Sequence, residues 1–111
     1  LRAAFDPANF VQSGVAVLSA WELLAEWVSY FHIKDAVADP ARVVPAGLGD
    51  ADVESILRAA LARGYSGFLS VEPHLHEKDA EHGGSGVERF ALATAALRKI
   101  LHRLGANETV R

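Results

Sequence analysis

The chain has 111 residues, half of them hydrophobic and 23% charged, with a net charge of −3. That balance excludes a disordered tail, a collagen-like repeat and a basic arm that would hold nucleic acid by charge. Cysteine is absent, which removes disulfides, thiolate chemistry and cysteine-bound zinc from consideration.

The first residues, about 2–6, read as a strand cut off at its left edge. Pro7 then forces a turn, because its ring fixes φ and it has no N–H for a central ladder. Ser19 followed by Glu22 has the spacing of a capping box and predicts a helix over 20–28. Trp21, Leu24, Ala25 and Val28 would form its apolar face. Residues 30–34 alternate as a strand, with Phe31 and Ile33 on one side and Tyr30, His32 and Lys34 on the other. A loop is expected from Asp35 to Gly49, with a tight turn at Gly47-Leu48-Gly49 and no hairpin.

Asp50 is the expected cap of a second helix over 51–63, whose Val53, Ile56, Leu57, Ala60 and Leu61 keep helical spacing. Gly64 fits a left-handed helix end. The third strand spans 67–72 and stops at Pro73, and residues 74–86 read as a polar loop. Ser85 and Glu88 form another capping box, before a helix over 87–104 with Phe90, Ala93, Leu97, Ile100 and Leu104 on one face.

Strand and helix alternate three times, which calls for parallel strands joined by helical crossovers. A complete (β/α)8 barrel uses about 250 residues, roughly 31 per unit. The chain therefore fits either a small open α/β sheet or the last three units of a TIM barrel, with outer helices. A start inside a strand at Leu1 favours the barrel reading and a fragment of something longer.

Asp6, His32 and Glu72 each fall at the C-terminal end of a predicted strand, on its more polar side. In a parallel barrel those ends converge on the active-site face. Two carboxylates and an imidazole there suit a divalent metal, which would polarise a hydroxy-carbonyl substrate and stabilise an enediolate. Glu72 would then be the general base. A strand-end His or Glu is by itself more often a surface or capping residue; three successive strands ending alike is what singles these out. His74-Leu75-His76 with His82 reads as a loop over the site mouth rather than a second metal site. Gly83-Gly84-Ser85-Gly86 lacks the lysine and spacing of a phosphate loop and reads as a hinge.

Phe5-Asp6-Pro7-Ala8-Asn9, His32-Ile33-Lys34-Asp35-Ala36 and Ser70-Val71-Glu72-Pro73-His74 resemble the last three strand motifs of the sugar phosphate isomerase/epimerase family, the xylose-isomerase-like barrels. Val44-Pro45-Ala46-Gly47-Leu48-Gly49-Asp50 and Gly64-Tyr65-Ser66-Gly67 resemble its phrasing too. The resemblance implies a divalent cation, manganese, magnesium or cobalt, held by Asp6, His32 and Glu72, with Glu72 also an acid/base carboxylate. It implies Asn9 as a substrate contact, with Lys34 at the same mouth for a substrate oxygen or phosphate; His74, two positions after Glu72, is the loop histidine expected to reach the substrate. It departs from the family in two places. The family's other glutamate sits on an earlier strand that this chain does not contain, and Leu48 stands where a glutamate is usual.

A two-carboxylate proton transfer cannot run on one, so the 111 residues alone are expected to be inactive or nearly so. A polyol or cyclitol dehydratase of the same superfamily and a non-catalytic half-barrel module are the alternatives. The expected partner is a small sugar or polyol; Trp21 and Trp27 read as packing residues on the outer helix, with a subunit contact as the alternative in so apolar a chain. Neither nucleic acid nor membrane is expected. No apolar run nears the roughly 18 residues of a membrane span, and no basic-then-apolar leader opens the chain, so a cytoplasmic setting is the expectation.

Overall fold

The computed structural model describes residues 1–73 and 86–108. Its elements are β1 (Ala3–Phe5), α1 (Pro7–Gln12), α2 (Val17–Leu24), a 3-10 turn (Ala25–Trp27), β2 (Val28–Ile33), β3 (Asp35–Val37), β4 (Arg42–Val44), α3 (Val53–Ala62), β5 (Leu69–Val71) and α4 (Gly86–Arg103). The main sheet has the order β1-β2-β5, with β2 parallel to both neighbours. Phe31 sits level with Phe5 on one side and Leu69 on the other, and His32 sits level with Ser70.

The period-2 alternation of the strands decides which face is covered. Phe5, Phe31 and Ile33 are buried under the helices. Trp21 of α2, Ile56 and Leu57 of α3, and Leu97 and Ile100 of α4 complete the same core. Phe5, Trp21 and Phe31 form an aromatic triangle with centroids 5.4 to 5.9 Å apart. Such pairs add about 0.5–1.5 kcal/mol each beyond the area they bury. On the opposite face Ala4, Tyr30, His32 and Ser70 stay at least partly open.

Several expectations change. Pro7 starts a helix, and Asp6 is its N-cap, accepting from the Ala8 amide at 3.1 Å and the Asn9 amide at 3.4 Å. Proline suits this first position because its missing N–H has no helical partner there anyway. Helix α2 begins at Val17, with Ala16 at the cap, so Ser19 and Glu22 lie inside it rather than at a capping box. Its start is set by burial: Val17, Ala20 and Trp21 share the core-facing stripe. It ends at Leu24, tightens into the 3-10 turn, and Val28 belongs to β2.

The expected loop after β2 contains an antiparallel hairpin, β3 with β4, whose connection includes a cis Asp39–Pro40 bond. Asp52, not Asp50, stands at the N-cap position of α3, without a side-chain capping bond, while Asp50 accepts from the Ala38 amide at 2.8 Å. Leu61 and Phe90 have helical spacing but lie on the margins of their stripes, 37% and 52% exposed. Trp27 is exposed, whereas Trp21 is core. The Ser85 cap and the loop histidines His74, His76 and His82 lie outside the described residues.

The hairpin and the turn after it are organised by one side chain. Asp35 has no exposed surface and accepts four backbone N–H bonds. Oδ1 takes Ala36 at 2.8 Å and Ala51 at 3.0 Å; Oδ2 takes Gly47 at 2.9 Å and Gly49 at 3.1 Å. Leu48, between those glycines, is 72% exposed. A Cβ on Gly49 would run into Asp35 Oδ1 and lie 2.5 Å from the Ala36 carbonyl oxygen. Gly49→Ala is therefore expected to cost about 2–3 kcal/mol, read as a lower urea midpoint, since backbone must move to admit the methyl. An unchanged midpoint would show that the turn yields freely.

Helix α3 closes with Gly64 at φ +83, the Tyr65 amide donating to the Ala60 carbonyl and the Gly64 amide to Leu61. This reciprocal pattern satisfies carbonyls the helix leaves open. It also sets Tyr65 against Phe31, ring edge to face at 4.9 Å, with its hydroxyl donating to the Phe68 carbonyl at 2.7 Å. Burial, and then the nearby Tyr30, raise the Tyr65 pKa above the ordinary 10.0. The neutral phenol is thus favoured on folding. Its contribution is complete below the unfolded-state value near 10 and is lost as pH rises through the higher folded value. Tyr65→Phe is expected to cost about 1 kcal/mol at neutral pH and to flatten the alkaline loss of stability. Thermal melts of the two proteins on either side of pH ~10 check this; parallel alkaline slopes would count against it.

Candidate functional site at the strand C-termini

Three adjacent strands carry side chains to one rim. His32 lies near the end of the central strand β2, and Lys34 is one residue past it. Asp6 follows β1 and Glu72 follows β5, the Glu72 amide still bonding to the Ile33 carbonyl at 3.2 Å. Because the strands are parallel, all four groups meet at the same end.

His32 Nδ1 is in close hydrogen-bond contact with Glu72 Oε1. With a neutral imidazole, this fixes the tautomer: Nδ1 carries the proton and donates, leaving Nε2 as acceptor. The Tyr30 ring stands 5.0 Å away at 65° and supports the imidazole plane. Lys34 Nζ is 3.1 Å from Asp6 Oδ2, 3.3 Å from Asn9 Oδ1 and 3.7 Å from Glu72 Oε2. Lys34 and Asp6 side chains are each only 13% exposed, while His32 and Glu72 are 35% and 24% exposed. The rim thus has a recessed ion pair beside a more open His–Glu pair.

The structure brings Asp6, Asn9, His32, Lys34 and Glu72 together; His74 lies outside the described residues. As arranged, these residues do not fit a divalent ion. Among the described residues no three His, Asp or Glu side chains converge as a ligand set. Asp6 spends Oδ1 on the α1 cap and Oδ2 on Lys34, and the lysine ammonium stands between the two carboxylates. Sequence reasoning missed the capping role of Asp6, although Asp followed by Pro is a helix-start signal. It also missed Asp35, which lies directly after Lys34 and anchors the turn behind the rim.

No protein-family model matches the chain, and no curated protein matches it. Among solved structures, the crystal structure of a xylose isomerase domain protein from Planctomyces limnophilus is similar, with a TM-score of 0.73 and 24% identity. The likeness covers 95% of this chain and 39% of that one. The fold is accordingly α/β, with parallel strands and outer helices corresponding to part of a xylose-isomerase-like TIM barrel. This chain spans well under half the length of the structure it matches. No helix among the described residues is long and apolar enough to cross a membrane.

Proposed function

We propose that this chain supplies the C-terminal rim of a sugar isomerase or epimerase site, which moves a proton on the carbon next to a carbonyl. The observation that carries this reading is the meeting of Glu72, His32, Lys34 and Asp6 at the ends of three adjacent parallel strands. A polyhydroxy carbonyl compound needs hydrogen-bond partners for its oxygens and a base beside its acidic C–H. Asn9 and Lys34 supply the first and Glu72 the second.

In the proposed step Glu72 takes the proton from the carbon. The C–H electron pair forms the C=C bond of an enediolate as negative charge moves to the former carbonyl oxygen. His32, bonded through Nδ1, orients the Glu72 carboxylate. Proton return to the same carbon gives exchange; return to its neighbour or to the other face gives isomer or epimer. No step is routed through a divalent ion, because the donor set does not fit one.

Exchange needs one base, whereas inversion needs a second on the opposite face. The test is incubation with ketoses and ketose phosphates in deuterated water. Deuterium is expected to enter the carbon beside the carbonyl slowly, without accumulation of an epimer. If no sugar of either kind acquires deuterium above the buffer rate, the reading fails.

A further inference from the structure

We propose that the Lys34 ammonium is the resident cation of this rim, filling the place between Asp6 and Glu72 that a divalent ion would otherwise take, and that its third N–H binds the substrate carbonyl oxygen. The inference rests on the isomerase reading for its substrate, but its cation half stands on geometry alone. An ammonium has three donors and no acceptor. Two are taken, by Asp6 Oδ2 at 3.1 Å and Asn9 Oδ1 at 3.3 Å. The third group within reach, Glu72 Oε2 at 3.7 Å, is beyond hydrogen-bond length. Among the described residues the ammonium thus has two partners at hydrogen-bond length and Glu72 as an ion-pair neighbour, which leaves its third hydrogen for an oxygen seated beside that carboxylate.

That arrangement has a chemical use. A carbonyl oxygen accepting the third Lys34 hydrogen would sit next to Glu72. As Glu72 removes the carbon-bound proton, the charge that develops on that oxygen faces a fixed positive centre. The Lys34 contact is then stronger in the transition state than in the bound substrate, which is what accelerates a step. Electrons balance within the substrate, and the proton passes to Glu72. No outside reagent is needed.

The pairing also explains the poor fit to a metal. Lys34 and Asp6 are recessed, where screening by water is weaker than at an open surface. A divalent ion would have to separate that pair and accept a neighbouring like charge. Removing the lysine charge changes the balance, leaving Asp6 and Glu72 without the ammonium that stands between them.

The experiment titrates manganese(II) alone into the full chain and follows the free ion by its paramagnetic resonance signal. Wild type, Lys34→Met, Lys34→Arg and the double variant Lys34→Met/Asp6→Asn are compared, with circular dichroism as the check on folding. Wild type and Lys34→Arg are expected to take up manganese only weakly. Lys34→Met is expected to bind it roughly ten-fold or more tightly, and the double variant to lose that gain. Stoichiometric uptake by wild type, or no gain in Lys34→Met, overturns the proposal. If Lys34→Met does not fold, Lys34→Gln is read by the same criterion. The deuterium experiment separates the two readings: a wild type that never exchanges deuterium sinks the isomerase function, while the manganese series still decides what cation the rim holds.

Discussion

Asp35→Ala is expected to lower the unfolding free energy by about 4 kcal/mol, close to the whole stability of many small domains. The carboxylate is fully buried and receives four backbone N–H groups from residues up to 16 positions away. Alanine leaves all four donors without that partner, and the desolvation cost of each is no longer offset. Asp35→Asn is the sharper probe. It keeps the shape, but an amide has one oxygen and one NH2 group. Whichever way it is turned, two backbone donors face another donor, because each Asp35 oxygen serves two. A loss of about 3 kcal/mol is expected for the asparagine variant. Urea unfolding monitored through Trp21 gives both values. Losses below about 1 kcal/mol would mean that water replaces the carboxylate readily.

Glu72→Gln is expected to slow deuterium exchange by about 10²–10⁴-fold, the range by which a positioned general base contributes. Glutamine retains the length and a hydrogen-bonding oxygen for His32 but cannot hold the proton taken from carbon. His32→Ala is expected to give a smaller loss, because it removes the group that aims the carboxylate and leaves the base in place. The order of the two effects is the informative result. If His32→Ala were the more damaging, the imidazole would be the base and Glu72 its orienting partner. Circular dichroism on both variants separates this from unfolding, since His32 and Glu72 lie outside the buried core.

The rim was legible in the sequence because parallel strands make it so. Alternation in Phe31-His32-Ile33 told which side faces the helices, and the residues at the strand ends followed. The long stripes of α3 and α4 were equally readable, since ten and eighteen residues give several turns of evidence. Short elements were not. Helix α1 has six residues, and Pro7 carries the same signature as a turn former and as a first helical residue. Strands β3 and β4 have three residues each, too few to show a period. The Ser19–Glu22 pair misled because a capping box is a local signal, and burial of Val17 and Trp21 outweighed it. Lys34 was visible as a substrate contact, but its place between two carboxylates depends on non-local register. So does the role of Asp35, whose partners come from a turn that sequence patterning leaves unpaired.

The double use of Asp6 narrows what can replace it. One oxygen holds the start of α1 and the other holds Lys34. Asparagine would keep the cap but give up the negative charge. Glutamate would keep the charge on a side chain one methylene longer than this two-amide cap is built for. Serine would serve the helix and abandon the lysine. Position 6 therefore serves the helix start and the lysine at once, and none of these three replacements keeps both contacts. That double demand falls on the residue that starts a helix of less than two turns.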